Sequence, residues 1–303
     1  MITKKAELAD NYKRTWRYTN SAREAWSEII EIYKKSNPNG SILLPAYIGW
    51  SPNEGSGIYD SVVKSGLSYS FYNLDLHLQI DLKDFKQKVL NDKNQLVLLV
   101  HYFGFPDNNS FEITAWLRER NIFFVEDCAH AWLTDLIGGK CGREGNYSFY
   151  SLHKILPVNN GGLLVNNKPL VSEKSSIPYN IVSYDYYGIF NKRISNYRYL
   201  SHLLKDLEDD FTMLHENLEV GICPQTLPVI VEKYNRDLLY KEMNDIGFGM
   251  VSLYHTMINE LSEFSCDAVN ILSKKIINFP IHQDVTKSDI DEMIKQLKEI
   301  IYV

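Results

Sequence analysis

The sequence has 303 residues, with 32 Lys and Arg against 38 Asp and Glu, which gives a formal net charge of −6. This mild acidity, together with the lack of a long Lys/Arg run, excludes bulk binding to nucleic acid. Apolar residues make up 45% and charged residues 23%, so a large core can be buried. No apolar run approaches the roughly 20 residues that span a bilayer, and the first ten residues are too polar for a signal peptide. We therefore expect neither membrane insertion nor secretion.

The four cysteines, Cys128, Cys141, Cys223 and Cys266, are scattered along the chain. They form no Cys-x-x-Cys pair and no His/Cys cluster at the spacing typical of zinc sites. We therefore predict reduced thiols, a cytoplasmic protein and no metal.

In the first half of the chain, short apolar runs alternate with amphipathic stretches, a pattern typical of α/β proteins. The runs at 96–101 and 122–126 are continuously apolar, as in parallel strands covered on both faces, so their carboxyl ends should face one crevice. In chain order, strands are predicted at 41–46, 68–72, 96–101, 122–126, 146–151 and 161–165, and helices after residues 21, 57, 81 and 111.

A second pattern begins at Gly221, after a long helical stretch predicted around 190–215. We predict a large domain over 1–215 and a small C-terminal α+β domain over 216–303. Ser288 is predicted to cap the last helix, with Asp291 at the acidic position of a capping box. The other predicted elements are strands at 227–231, 250–253 and 276–279, a helix at 235–246 and a helix that ends near Lys274.

Two charged residues follow predicted strands. Asp127 comes directly after an apolar strand, at the sheet edge where ligands bind in open α/β folds. It could be a ligand-binding carboxylate or could simply cap the following turn. Lys154 follows the next predicted strand, where an isolated lysine is either functional or solvated.

Taken together, an amine and a carboxylate at one crevice meet the requirements of pyridoxal phosphate (PLP). The lysine forms a Schiff base, and the carboxylate keeps the pyridine nitrogen protonated so that the ring can accept electrons. The phosphate needs an anion site, and the segment 20–23 at the start of the first helix offers backbone N–H groups, the Ser21 hydroxyl and the Arg23 guanidinium.

Six segments, in order along nearly the whole chain, resemble motifs of the DegT/DnrJ/StrS family of PLP-dependent sugar aminotransferases. They lie at 43–47, 100–106, 126–130, 151–154 followed by the glycine pair at 161–162, 191–195 and 272–282. The resemblance implies the α/β architecture of PLP-dependent transferase fold type I. In that fold a mostly parallel central sheet is sandwiched by helices and joined to a small C-terminal α+β domain.

The resemblance also implies roles for individual residues. Lys154 is the Schiff-base lysine and moves the proton at the substrate Cα, while Asp127 pairs with the pyridinium nitrogen. His130 lies beside the ring near its phenolic oxygen, unless it is a packed histidine with a local hydrogen bond.

The remaining cofactor contacts come from more distant segments. Ser21, Arg23 and Ser151 would hold the phosphate, and Tyr47 or Trp50 would stack on the ring. Asn191 would reach the phosphate of the partner subunit, so the resemblance implies a homodimer with shared active sites.

The implied activity is transfer of an amino group from glutamate to a keto sugar linked to a nucleotide. One alternative is a PLP-dependent sugar dehydratase, although dehydrating members replace the lysine with histidine, whereas Lys154 is retained beside His153. Another is a shortened, non-catalytic binding or regulatory protein, because the chain is shorter than typical members between residue 210 and Gly221. The segment 20–23 also departs from the family's common Ser/Asn-Gly-Thr stretch.

Overall fold

A computed structural model describes residues 14–169, 173–262, 264 and 266–302. The first ten residues, on which the argument against a signal peptide depends, lie outside this range. The strands are β1 Thr15–Thr19, β2 Ser41–Pro45, β3 Ser68–Tyr72, β4 Gln95–Val100, β5 Phe123–Asp127, β6 Tyr147–Ser151, β7 Gly162–Asn166, β8 Phe211–Met213, β9 Thr226–Val231 and β10 Ile276–Pro280. The helices are α1 Ala22–Ser36, α2 Tyr59–Ser65, α3 Leu82–Asn91, α4 Ser110–Glu119, α5 Trp132–Leu136, α6 Tyr179–Val182, α7 Tyr186–Leu204, α8 Arg236–Asp245, α9 Asp267–Lys275 and α10 Lys287–Tyr302.

The first seven strands form one sheet in the order β1-β7-β6-β5-β4-β2-β3. Strands β6, β5, β4, β2 and β3 are parallel, whereas β7 runs antiparallel to its neighbours β1 and β6. Val100 pairs with Asp127, and Asp127 pairs with Phe149. The carboxyl ends of β4, β5 and β6 therefore lie side by side. This architecture confirms the predicted fold class, with the antiparallel β7 as the exception within the sheet.

The centre of the large sheet is fully buried. Leu96, Val97 and Leu98 on β4 and Phe124 and Val125 on β5 have no exposed surface. Continuous apolar runs of this kind are expected where helices cover both faces of a parallel sheet.

Within the described part of the chain, no helix combines the length and apolar character needed to cross a bilayer.

The start of helix α1 forms part of the candidate site. Its N-cap is Ser21, in the segment 20–23 that was predicted to begin this helix, and the Ser21 side chain accepts a hydrogen bond from the Glu24 N–H. Trp26, Ile29 and Ile30 are fully buried on one face. Since these residues recur at helical spacing, they fix which way α1 faces the sheet.

A smaller antiparallel sheet has the order β10-β9-β8. Strand β8 lies within the stretch predicted as helix, and α7 ends at Leu204 instead. Phe211 pairs with Val231 and packs edge-on against Phe279, so a long-range pairing overrides the local helical pattern. The domain boundary at residue 215 stays a prediction. Strand β8 belongs to the smaller sheet but precedes that boundary in the chain.

Two other predictions in the C-terminal half are wrong in detail. The predicted strand at 250–253 is reduced to one bridge between Val251 and Asn278. The capping box of α10 is formed by Thr286 and Asp289, whose side chains and N–H groups bond each other, rather than by Ser288 and Asp291. Both pairs have suitable spacing, so tertiary packing decides between them.

Candidate active site

The candidate site lies where β5 and β6 end. Asp127 is the last residue of β5, and Lys154 follows β6 by three residues. The Lys154 Nζ lies 2.7 Å from the Nε2 of His130. Asp127 is close enough to Lys154 for each charge to change the pKa of the other. Three predicted site residues are thus brought together.

The Asp127 carboxylate is 5% exposed and keeps one oxygen free. Its Oδ1 accepts a hydrogen bond of 2.8 Å from the Ala129 N–H, whereas within the described residues nothing donates to Oδ2. Burial raises the pKa of Asp127 to about 6, opposed by the hydrogen bond from the Ala129 N–H. Oδ2 is therefore available to a donor such as a protonated ring nitrogen.

Lys154 is held as an amine rather than in an ion pair. Burial lowers the pKa of Lys154, and the carboxylates of Asp127 and Glu54 oppose this shift. Among the described residues no carboxylate approaches its Nζ at salt-bridge distance, and its hydrogen bond goes to an imidazole. A desolvated lysine without a salt bridge is poised to act as a nucleophile or a base.

The imidazole of His130 defines the protonation state of this pair. The Phe103 N–H donates to Nδ1 over 3.1 Å, so the ring proton of a neutral imidazole must lie on Nε2. Burial lowers the pKa of His130 well below its ordinary value, so the ring is neutral. Nε2–H then donates to Lys154 Nζ, which can accept only as an uncharged amine. The hydrogen-bond chain Phe103–His130–Lys154 thus selects the neutral lysine.

Phe103 is a site residue that the sequence did not reveal. It lies in the turn after β4 with φ of 56°, and this left-handed conformation directs its N–H at His130. Its ring also stacks on the imidazole, with centroids 6.0 Å apart and planes at 13°. The segment 100–106 indicates a motif, but a backbone N–H donor has no side-chain signature.

Arg193 contacts the backbone of Lys154. It is 2% exposed on α7, and its guanidinium donates to the carbonyl oxygens of Gln225 at 3.0 Å and Lys154 at 3.5 Å. Because the second bond goes to the lysine's own backbone, Arg193 fixes the loop after β6. The motif at 191–195 drew attention to this segment without indicating that contact.

The predicted phosphate-binding residues Ser21 and Ser151 meet around Gly162. Gly162 pairs with Thr19 on one side and with Ser151 on the other. A Cβ at Gly162 would overlap the backbone of Ser21 and Ala22. The N–H groups that begin α1 therefore lie beside the Ser151 hydroxyl, which contacts His153 Nδ1 at 3.3 Å. A helix N-terminus with a flanking hydroxyl suits an anion.

The other predicted cofactor residues are placed differently. Arg23 is 42% exposed, donates to the Glu54 carbonyl and lies 3.8 Å from an Asp60 carboxylate oxygen. Tyr47 is fully buried, and its hydroxyl donates to the Leu253 carbonyl and accepts from the Tyr254 N–H.

Trp50 and Asn191 are the accessible members of the predicted set. Trp50 is 44% exposed, so of the two aromatic candidates it has the accessible ring. Asn191 is exposed on α7, and its side chain makes no hydrogen bond within the described residues.

These residues fit PLP as a group. The buried lysine, the unused Asp127 Oδ2 and the tight cradle at Gly162 match its aldehyde, its pyridine nitrogen and its phosphate. Lys154, Asp127, Ser21 and Ser151 would hold it.

A substitution at Gly162 tests the cradle. Gly162→Ala is expected to lower the free energy of unfolding by about 1–3 kcal/mol, because the added methyl group displaces the start of α1, and to weaken PLP binding. Chemical denaturation and a PLP titration measure the two effects. The control is Gly57→Ala, where a Cβ meets no atom within 4 Å. Equal effects of the two substitutions would contradict the proposed packing.

Solved structures of aminotransferases share this architecture. The aminotransferase TlmJ from Streptoalloteichus hindustanus has a TM-score of 0.74 and 17% identity, covering 94% of this chain and 85% of that chain. The Helicobacter pylori aminotransferase PseC, involved in the biosynthesis of pseudoaminic acid, has a TM-score of 0.75 and 16% identity, with coverage of 95% and 86%. At these identities the similarity establishes the fold.

Part of the chain matches one aminotransferase family by sequence. Residues 57–180 match the family model of the DegT/DnrJ/EryC1/StrS aminotransferase family. GDP-perosamine synthase of Escherichia coli O157:H7 is 32% identical over 91 residues, or 29% of this chain and 24% of that protein. The Vibrio cholerae enzyme of the same name is 30% identical over 99 residues, or 32% and 26%. The alignments thus span about a quarter of these relatives. The predicted resemblance is confirmed over residues 57–180, the part of the chain that matches the model of the DegT/DnrJ/EryC1/StrS family.

Proposed function

We propose that the protein is a PLP-dependent aminotransferase that moves an amino group from an amino acid, glutamate, to a keto sugar carried on a nucleoside diphosphate. The observation that carries the proposal is the chain Phe103–His130–Lys154, which delivers an uncharged lysine beside the Asp127 carboxylate. A PLP-dependent aminotransferase needs a lysine amine and a carboxylate at opposite sides of the PLP ring.

When bound, PLP supplies an electron sink that lets a Cα proton leave an attached amino acid. In this proposal the chain's own residues hold the ring and move that proton. Asp127 Oδ2 would accept a hydrogen bond from the pyridine N–H and so keep that nitrogen charged. Lys154 Nζ, which as an uncharged amine accepts from His130 Nε2–H, would take the proton from the substrate Cα and later return it. The buried strand ends exclude water from these steps.

The names of the relatives support the sugar substrate. Two matched relatives are named GDP-perosamine synthase, and one from Saccharopolyspora spinosa, 26% identical over 121 residues, is named dTDP-4-dehydro-2,3,6-trideoxy-D-glucose 4-aminotransferase. Both names denote nucleotide-linked sugars, and the second denotes a ketone as amino acceptor. We extend this substrate class to the present chain.

The position of His153 argues against the dehydratase alternative. Its side chain is exposed and contacts Ser151, whereas Lys154 is directed into the site. The residue in the catalytic position is therefore lysine, the type that transaminating members retain. The alternative of a non-catalytic binding protein offers no reason to keep both Lys154 and Asp127 buried together.

Adding glutamate to the PLP-loaded protein distinguishes these functions directly. Purified protein loaded with PLP is expected to show a visible absorbance band that glutamate removes, with one equivalent of 2-oxoglutarate formed per site. A nucleotide-linked keto sugar added next should restore the band. A band that no amino acid changes would support the binding protein, and failure to take up PLP at all would exclude both functions.

We propose a homodimer in the cytoplasm. Exposed apolar side chains at Tyr179, Val182 and Tyr187 on α6 and α7 lie in the same segment as Asn191 and support an interface there. The four free, buried cysteines are consistent with a reducing compartment.

Asn191 tests whether the sites are shared. Asn191→Ala is expected to weaken PLP retention by about 10-fold, since one hydrogen bond to a charged group is lost, without changing the unfolding of the chain. Mixed dimers of Asn191→Ala and Lys154→Ala chains should have at most one intact site, and that site should be active. Turnover that does not depend on mixing the two variants would contradict a shared site.

A further inference from the structure

A buried cluster of side chains that could bind a soft metal ion lies next to the end of β5. The proposed reaction does not use these side chains. One imidazole nitrogen of His101 and the sulfurs of Cys128 and Cys141 all lie within 4.8 Å of one another. The three residues are at most 5% exposed. Their wide separation in sequence explains why the spacing of the cysteines predicts no metal.

The imidazole of His101 has one nitrogen free for a ligand. Its Nε2 lies 2.9 Å from the Glu126 Oε2, and its Nδ1 is buried and has no hydrogen-bond partner among the described residues. A buried imidazole nitrogen normally finds a partner, so an orphan beside two sulfurs requires an explanation. A metal ion bound by Nδ1 would satisfy it.

Glu126 provides the outer support that metal-binding histidines usually have. Its two oxygens accept hydrogen bonds from the N–H groups of Gly142, Glu144 and Gly145 at 2.7 to 2.9 Å, which fixes the carboxylate. The fixed carboxylate in turn orients the His101 ring. A carboxylate–histidine pair of this kind sets the tautomer and the direction of a ligating imidazole.

We propose that His101, Cys128 and Cys141 bind a zinc ion. Two thiolates and a neutral imidazole are a common ligand set for zinc, and with Zn²⁺ the thiolates carry no net charge into the interior. A cavity of about 350 Å³, lined by His101, Glu126, Lys140 and Cys141 among others, gives the ion an entry path and a fourth position for water. The bound ion ties the loop before β6 to the end of β5.

The test uses the untagged full chain, loaded with PLP and purified under reducing conditions. We expect it to take up one Zn²⁺ per chain in competition with a chromogenic chelator. Co²⁺ in place of Zn²⁺ should show thiolate-to-metal charge-transfer absorbance with the intensity of two thiolates. The cobalt spectrum needs no variant, so it remains decisive if a substitution impairs folding.

Variants identify the ligands. Glu126→Gln should weaken zinc binding by about 10–100-fold, and Cys128→Ser or Cys141→Ser should weaken it further and each remove part of the cobalt–thiolate absorbance. Cys223→Ser and Cys266→Ser are matched controls, because these cysteines are also free and buried but lie elsewhere. A disulfide between Cys128 and Cys141 in freshly isolated protein, the lack of a cobalt–thiolate band, or equal effects of all four cysteine variants would overturn the proposal.

Discussion

Lys154→Ala is expected to lower kcat for amino transfer by about 10³-fold or more, since one side chain supplies both the attachment to the cofactor and the proton transfer. In the structure the Lys154 amine bonds to His130 and burial lowers its pKa, so a lysine in solvent cannot replace it. Single-turnover formation of 2-oxoglutarate from glutamate measures the effect without interference from product release.

The control for Lys154 is the adjacent His153. His153→Ala removes an exposed ring whose one hydrogen bond within the described residues is to the Ser151 hydroxyl, so kcat should stay within about 10-fold of the wild-type value. This pair of variants also tests the assignment of lysine rather than histidine to the catalytic position. Loss of turnover in His153→Ala with retention in Lys154→Ala would reverse the assignment and favour the dehydratase.

Asp127→Asn is expected to lower kcat by about 10²-fold and to weaken PLP binding by about 10-fold or more. The neutral amide keeps the shape of the side chain and can still accept from the Ala129 N–H, but it cannot hold a positive charge on the ring nitrogen. A PLP titration followed by single-turnover kinetics at saturating PLP separates the two effects.

Asp107→Asn is the control, because Asp107 is a half-buried carboxylate in the segment that follows β4, and burial also raises its pKa. It bonds backbone N–H groups of Ile80 and Asn109 and has no contact with the lysine. We expect lower stability but an unchanged dependence on PLP. A decrease in kcat equal to that of Asp127→Asn would show that the loss comes from general disruption of buried carboxylates.

Much of the frame could be predicted because it depends on local patterns. Strands β4 and β5 are continuous apolar runs, so their position and the placement of Asp127 at the sheet edge follow from the sequence alone. The N-cap at Ser21 follows from residue type and spacing. Helix α5 and strand β1 were not predicted, because their short segments, Trp132–Leu136 and Thr15–Thr19, carry little periodicity.

The parts of the site that escaped prediction depend on backbone atoms and on long-range contacts. The Phe103 N–H that fixes the His130 proton and the Lys154 carbonyl that accepts from Arg193 have no side-chain signature. Tyr47 belongs to a plausible stacking motif, but its hydroxyl bonds the segment at Leu253, distant in sequence. Local sequence patterns do not encode which partner such a group finds.

The most direct test of the central claim is to find which side chain PLP modifies. Borohydride reduction of the PLP-loaded protein, followed by peptide mass spectrometry, should place a single phosphopyridoxyl adduct on the peptide containing Lys154, and Asp127→Asn should lower its yield at limiting PLP. An adduct spread over exposed lysines, or a peptide with Lys154 unmodified at saturating PLP, would contradict the account.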